Sequence, residues 1–285
     1  MIKQQNQKLR YELKQYKILK QIQENRNILP YQLNLILFGP TGSGKSSLIK
    51  TFYQSLNQTD IKDEDSQQKI IIQDLKHNEG TKQLTQILIK DRQKHIIEYQ
   101  KNQQLIIENS SIYCYDTRGQ IYMNQNEFEQ INFIIDGKIK NMSFAQQRQY
   151  RYSYLLWEFW KKDSELFPSE ILINEKNIQN TPHCIIIVFD GSLDEVPNEE
   201  ETEFYKDILK QLYKKNYFQP QIVLSRLDLV ENQIKQAYSQ HQNIKQDKIN
   251  IKLMEIKDIK IQKVVNKLQV PRSSVHFIEN YNSNN

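Results

Sequence analysis

The stretch Gly39-Pro40-Thr41-Gly42-Ser43-Gly44-Lys45-Ser46-Ser47 constrains this chain more than any other. It comes after a short apolar run, residues 33–38, and precedes a helical pattern, Leu48, Ile49 and Phe52. This is the G-x-x-x-x-G-K-[ST] phosphate loop in the strand–loop–helix setting it requires. Glycines at Gly39, Gly42 and Gly44 let the backbone wind with its N–H groups facing inward, a concavity that suits phosphate oxygens. The backbone of Thr41 and Ser43 belongs to the same cradle. The helix beyond it adds unpaired N–H groups and the positive end of its dipole, from Ser46 and Ser47 onward. Lys45 can reach the outer phosphates as a point charge, and the Ser46 hydroxyl can ligate Mg²⁺. The chain holds only 7 glycines, where ordinary usage predicts about 20. Three of them in one nine-residue loop mark a built site rather than a flexible turn.

A phosphate loop implies an α/β domain, and the downstream pattern of apolar runs fits one. The expected fold is a three-layer α/β/α nucleotide-binding domain with about six mostly parallel strands and the ligand at their carboxyl ends. At 285 residues the chain accommodates one such domain with insertions. Residues 1–30 form an N-terminal amphipathic segment, with apolar positions at Leu9, Tyr11, Leu13, Tyr16, Ile18, Leu19 and Ile22. Residues 31–285 form the nucleotide domain, with insertions at about 57–80 and 121–180. Within the second insertion Tyr150, Tyr152, Tyr154, Leu155, Trp157, Phe159 and Trp160 crowd one segment. That stripe reads as core packing or as a surface for a protein partner or self-association.

Two further strand ends carry chemistry. Ser111-Ile112-Tyr113-Cys114-Tyr115 delivers Asp116-Thr117-Arg118-Gly119. A D-x-x-G there puts Asp116 beside the phosphate loop to hold the Mg²⁺ shell and lets the Gly119 N–H meet the terminal phosphate. Gln120 stands where many small GTPases place the glutamine that orients attacking water, so Gln120 and Lys45 are the catalytic candidates. A switch threonine completing the Mg²⁺ shell is expected in the strand-like stretch after Gly80, at Thr81 or Thr85. The continuous apolar run 184–189 reads as a central parallel strand. Residues 221–224 form the next, delivering Ser225-Arg226-Leu227-Asp228. GTP-binding domains carry [NT]-K-x-D at this place, the aspartate accepting both guanine N–H groups as a pair that adenine cannot supply. Ser225 would brace the phosphate loop and Arg226 would stack on the base. A helix over residues 256–268 ends before Pro271, and the last strand, 275–278, leads into Glu279 and Asn280, candidates for closing the base pocket. Residues 231–253 give no clear pattern.

Composition excludes several classes. Lysines and acids are interspersed at a net charge of +5, which is no nucleic-acid footprint. The longest clean apolar run is far too short to span a bilayer. Cys114 and Cys184 fall in apolar strands and read as core thiols of a reducing compartment, which with the lack of a signal region points to the cytoplasm.

With these residues placed, the chain resembles the interferon-induced protein 44 group of G-domain proteins over roughly residues 30–281. The likeness rests on Phe38-Gly39-Pro40 through Ser47, Asp116-Thr117-Arg118-Gly119, Ile135-Asp136-Gly137-Lys138-Ile139, Pro182-His183-Cys184-Ile185, residues 223–228 and residues 277–281. It implies a translation-factor-related GTP-binding domain, binding GTP with Mg²⁺, in which hydrolysis is slow or not established. Three departures stand out: Gln120 replaces an apolar residue, Ser225-Arg226 alters the base motif, and the sequence stops soon after Tyr281. The N-terminal helix is expected to cover the face that a final helix would take. The leading reading is a GTP-dependent switch. The alternatives are a non-hydrolysing nucleotide-binding scaffold for protein assembly and a phosphate-loop ATPase.

Overall fold

Strand alternation sets the layers of this domain. In β1 (Gln32–Phe38) Ile36 and Phe38 face one side while Leu37 faces the other, and all three are fully buried. A strand covered on both faces must lie in the interior of a sheet with helices above and below. The computed structural model of the chain describes residues 8–9, 12, 32–57, 85–90, 94–99, 103–108, 111–117, 119–120, 123–138, 172–173, 175, 180–217, 219–239 and 246–279. Its main sheet has six strands in the order β2-β5-β1-β6-β7-β8. These are β1, β2 (Thr85–Lys90), β5 (Ser111–Asp116), β6 (Cys184–Asp190), β7 (Gln221–Ser225) and β8 (Val275–Phe277). All neighbours are parallel except β2, which runs antiparallel to β5. The expected α/β architecture of about six mostly parallel strands is therefore what the chain adopts.

Helix α1 (Lys45–Asn57) covers one face through Leu48, Ile49 and Leu56 against Leu37, Cys114, Ile186 and Val188. The larger core lies on the other face. There α2 (Gln125–Ile135), α3 (Glu199–Lys214), α4 (Leu227–Ser239) and α5 (Gln246–Leu268) surround Ile36, Phe38, Tyr115, Ile187, Phe189 and Leu224. Each such side chain, fully buried, contributes roughly 1.5–3 kcal/mol of transfer free energy. Helix starts are fixed locally: the Asn198 side chain accepts from Glu201 N at 2.8 Å and Glu201 returns a bond to Asn198 N at 2.9 Å, a reciprocal cap that stabilises α3 by about 1 kcal/mol. The Asn124 side chain caps α2 by accepting from Glu127 N at 3.1 Å, while the Glu127 carboxylate accepts from Met123 N at 2.8 Å.

Two strands outside the main sheet, β3 (Lys94–Tyr99) and β4 (Gln103–Glu108), form an antiparallel hairpin. The amino-acid pattern gives no warning of it, because Lys101-Asn102-Gln103-Gln104 looks like a polar tract. A second correction concerns residues 231–253. They are helical over most of their length, since α4 runs to Ser239 and α5 starts at Gln246, ten residues before the helix expected from Ile256. The stripe Leu227, Val230, Ile234 and Tyr238 has the spacing of one helix face, and Val230 and Ile234 are buried.

The two cysteines sit on the strands flanking β1, each in register with Leu35, and both are free thiols. At the amino end of β1, fully buried Asn34 donates its N–H to His183 Nδ1 at 3.0 Å and accepts at its carbonyl from His183 N at 2.8 Å. His276 lies on edge strand β8, exposed and bonded to Gln221 Oε1 at 2.9 Å. Of the N-terminal segment only Lys8, Leu9 and Glu12 are described, and they are helical. The insertion 57–80 beyond Asn57 and the aromatic stretch 150–160 lie outside the described residues. Among the described residues no helix is long and apolar enough to cross a membrane.

Candidate functional site

Because β1, β5, β6, β7 and β8 are parallel, their carboxyl ends share one edge of the sheet. Gly39 succeeds β1, Asp116 ends β5, Asp190 ends β6, Ser225 ends β7, and Glu279 lies just past β8. Motifs separated by up to 240 residues of sequence thus meet on one rim.

The phosphate loop is fixed by close backbone packing. Gly39 has φ +151°, and a Cβ there would lie 2.1 Å from the Val188 carbonyl oxygen, so no other residue fits. Lys45 is 5% exposed as a residue, and its ammonium donates to the carbonyls of Gly39 and Pro40, both at 2.9 Å. An ammonium carries three N–H donors, so the third remains for an incoming anion. Burial lowers the Lys45 pKa to about 8, with nearby Asp116 opposing the shift. A cation held this dry gains charge stabilisation from any phosphate placed beside it. The first turn of α1 holds no acidic residue, so no carboxylate of that turn competes with a negative ligand for the positive end of the helix dipole.

Asp116 is fully buried, and the Ser46 hydroxyl donates to its Oδ2. A hydroxyl and a carboxylate in contact beside Lys45 are the hard oxygen ligands that Mg²⁺ takes when it is also held by phosphates and water. The chemistry of Ser46 and Asp116 therefore fits a Mg²⁺ ion, which these two side chains would hold. Thr117 Oγ1 donates to Leu37 O at 2.6 Å and ties the start of the D-x-x-G segment to β1. In the antiparallel β2–β5 pair Thr85 is the register partner of Asp116, so its backbone lies directly across from that carboxylate residue. Thr81 lies outside the described residues.

Gly119 packs against the phosphate loop so closely that a Cβ would meet Thr41 Cα at 2.4 Å. Beside it, Gln120 extends the β1–β5 pairing past the strand ends: its N–H donates to Gly39 O and its carbonyl accepts from Thr41 N, each at 3.2 Å. Its side chain is buried, and Oε1 accepts from Gly39 N at 2.8 Å and from the Tyr205 hydroxyl at 2.9 Å. The glutamine expected to hold a water therefore has its amide oxygen engaged with the loop and with α3. Tyr205 escapes sequence reading because it sits among Phe204, Ile208 and Leu212 in an ordinary buried helix stripe.

Ser225 is fully buried and donates its hydroxyl to Ser43 O at 2.7 Å, with Phe189 O at 3.2 Å. These bonds tie the end of β7 to the phosphate loop and to β6 through a side chain shorter than asparagine. Arg226 divides its fork: one nitrogen pairs with Asp190 Oδ2 at 2.7 Å and the other donates to Gly42 O at 2.7 Å. Its φ of +62° is unusual for a residue with a side chain, a cost of about 1–2 kcal/mol that these contacts offset. Asp190 Oδ1 also accepts from Ser192 N at 2.9 Å and Ser192 Oγ at 2.6 Å. Sequence reading misses Asp190 as a site residue; a strand-end acid is its only local signal. Asp228 lies in the first turn of α4. The Leu227 N–H donates to Ile278 O at 3.1 Å, which brings exposed Glu279 beside this turn. Asn280 and Arg118 lie outside the described residues.

No protein-family model matches the chain, and no curated protein matches it. Among solved structures it is similar to a dimerization-deficient mutant of Toc33 from Arabidopsis thaliana, at 11% identity and a TM-score of 0.40, covering 89% of this chain and 72% of that one. It is also similar to the S. cerevisiae Ski7 GTPase-like domain bound to GTP, at 15% identity and a TM-score of 0.40. There the match covers 88% of this chain and 42% of that one. A third similar structure is Toc33 in complex with GDP and Mg²⁺, at 11% identity and a TM-score of 0.39, covering 89% of this chain and 72% of that one.

Proposed function

We propose that this domain binds GTP together with Mg²⁺ and acts as a nucleotide-dependent switch. The observation that carries the reading is convergence on one rim. Lys45 with a spare N–H, the Ser46–Asp116 contact and the Gly119 backbone surround the phosphate loop. The Ser225–Asp228 turn stands behind it at the end of β7. The loop N–H groups and Lys45 would bind the phosphates, and Ser46 and Asp116 would hold Mg²⁺, with Thr81 or Thr85 as the switch ligand. Mg²⁺, when bound, supplies charge neutralisation on the phosphate oxygens. Asp228 would accept the two guanine N–H groups, with Arg226 packed against the base and Glu279 and Asn280 closing the pocket. Hydrolysis would be phosphoryl transfer to water, driven by positioning and charge rather than covalent chemistry. Free thiols at buried Cys114 and half-buried Cys184 accord with a reducing compartment such as the cytoplasm.

One observation favours a second reading, a nucleotide-binding scaffold that does not hydrolyse: the amide oxygen of Gln120 is already used. In that case residues 150–160 would serve assembly with a protein partner or with a second copy. Calorimetric titration of GTP and ATP, with and without Mg²⁺, into wild type and Lys45→Ala tests the primary reading. Expected are Mg²⁺-dependent GTP binding, weaker ATP binding, and loss of both in the variant. Equal affinity for ATP, or GTP binding indifferent to Asp228→Asn, removes guanine recognition and leaves an ATPase. Single-turnover hydrolysis then separates switch from scaffold.

A further inference from the structure

We propose that Gln120 is a positioning residue which, held by the buried hydroxyl of Tyr205, fixes the entrance of the phosphate loop and so couples the packing of α3 to nucleotide affinity. This rests on the reading of the loop as a nucleotide site. A carbonyl oxygen has two lone pairs, and Gln120 Oε1 directs them to Gly39 N–H and Tyr205 O–H. Gly39 is the residue with no room to move, pinned against Val188 O. The Gln120 backbone holds the same point from both sides, through Gly39 O and Thr41 N. Tyr205 in turn is completely buried, with its ring edge-on to Phe189 at 4.9 Å and to Phe204 at 5.3 Å. Burial raises its pKa well above the usual tyrosine value, so the hydroxyl is a permanent neutral donor. The chain of contacts α3–Tyr205–Gln120–Gly39 is continuous, and its last member opens the cradle. A glutamine that oriented attacking water would instead direct its amide toward the terminal phosphate.

The test compares wild type, Tyr205→Phe, Gln120→Met and the double variant. Tyr205→Phe keeps the ring and its packing, and thermal melts verify that each variant folds. Hydrogen exchange of the peptide spanning residues 39–44, measured without nucleotide, reads the latch directly, with a β7 peptide as the control. Titration with GDP and Mg²⁺ reads affinity. Each single variant is expected to speed exchange at the loop entrance about tenfold and weaken GDP binding about tenfold, the worth of one buried hydrogen bond at 1.4 kcal/mol per decade. The double variant is expected to match Gln120→Met alone, because the hydroxyl acts through the amide. Unchanged exchange in Tyr205→Phe overturns the proposal, as does full additivity of the two substitutions. If no variant, wild type included, binds GDP, the nucleotide reading fails while exchange still decides whether the latch exists.

Discussion

Replacing Gly119 with alanine tests the junction on which the whole site depends. The added Cβ would stand 2.4 Å from both Thr41 Cα and Thr41 Oγ1 and 2.7 Å from Thr41 N. Two of these atoms are backbone and cannot rotate away, so the segment must retreat by about 1 Å to reach ordinary van der Waals contact. At that displacement three hydrogen bonds fail together: Gln120 N to Gly39 O, Thr41 N to Gln120 O, and Gly39 N to Gln120 Oε1. At about 1 kcal/mol each, the loss approaches ~3 kcal/mol. If the loop must regain this arrangement to bind nucleotide, affinity falls by roughly 100-fold, at 1.4 kcal/mol per decade. Without ligand the same loss lowers Tm by about 6–12 °C for a domain of this size. The assay is paired: fluorescent-GDP titration and a thermal melt. Gly42→Ala is the comparison, because its Cβ would meet nothing within 4 Å and the only cost is its φ of +80°, about 1 kcal/mol. A Gly119→Ala protein that melts no earlier than Gly42→Ala and binds within twofold of wild type would refute the reasoning.

Three shorter predictions accompany it. Ser225→Ala leaves the buried Ser43 carbonyl without its 2.7 Å donor, a loss of about 1–2 kcal/mol visible as an earlier denaturant midpoint. Nucleotide affinity should be pH-dependent through Lys45, whose free-state pKa is about 8. A bound phosphate favours the protonated amine and raises that pKa, so affinity is flat below pH 8 and falls by roughly tenfold per unit above it. Titrations from pH 7 to 9.5 check this, and Lys45→Arg should abolish the slope. His183 titrates in the opposite range: burial lowers its pKa, and its Nδ1 accepts the Asn34 N–H. The unfolded chain therefore takes up the proton first, stability is full above about pH 6.5, and it is lost as pH falls below that value. Tm measured between pH 7.5 and 5 should drop more steeply in wild type than in His183→Phe.

The rim is legible because its residues are local signatures at strand ends. Gly39–Ser47, Asp116, Gly119 and Ser225 each come after an apolar run whose length and β-branching mark a strand, and parallel strands bring their ends together by topology alone. The hidden part depends on side chains meeting across the fold. Asp190 is one more acid until Arg226, 36 residues later, turns back to it. Gln120 carries the same letters whether it holds water or braces Gly39, and only the position of Tyr205 on α3 distinguishes the two. The β3–β4 hairpin lies behind a Gln/Asn/Lys tract whose composition resembles a loop. The start of α5 is obscured by alternating lysine and isoleucine, which fits no single face.

The thiols of the central sheet turn the domain into its own reporter. Cys114 and Cys184 both oppose Leu35, one from each side, so two strand spacings, about 9.5 Å, separate them. That exceeds the reach of a disulfide, about 7 Å between Cα atoms, and oxidants cannot bridge the pair while β1 lies between. Cys114 is fully shielded and its thiol pKa is pushed up by burial, which suppresses the reactive thiolate. These are the only two cysteines in the chain. Labelling of Cys114 by a thiol reagent therefore times the lifting of α1, whose Leu48, Ile49 and Leu56 share its cluster and which carries Lys45 and Ser46, from the face of the sheet. A plain alkylation time course, with no dye or tag introduced, measures how long the site stays assembled.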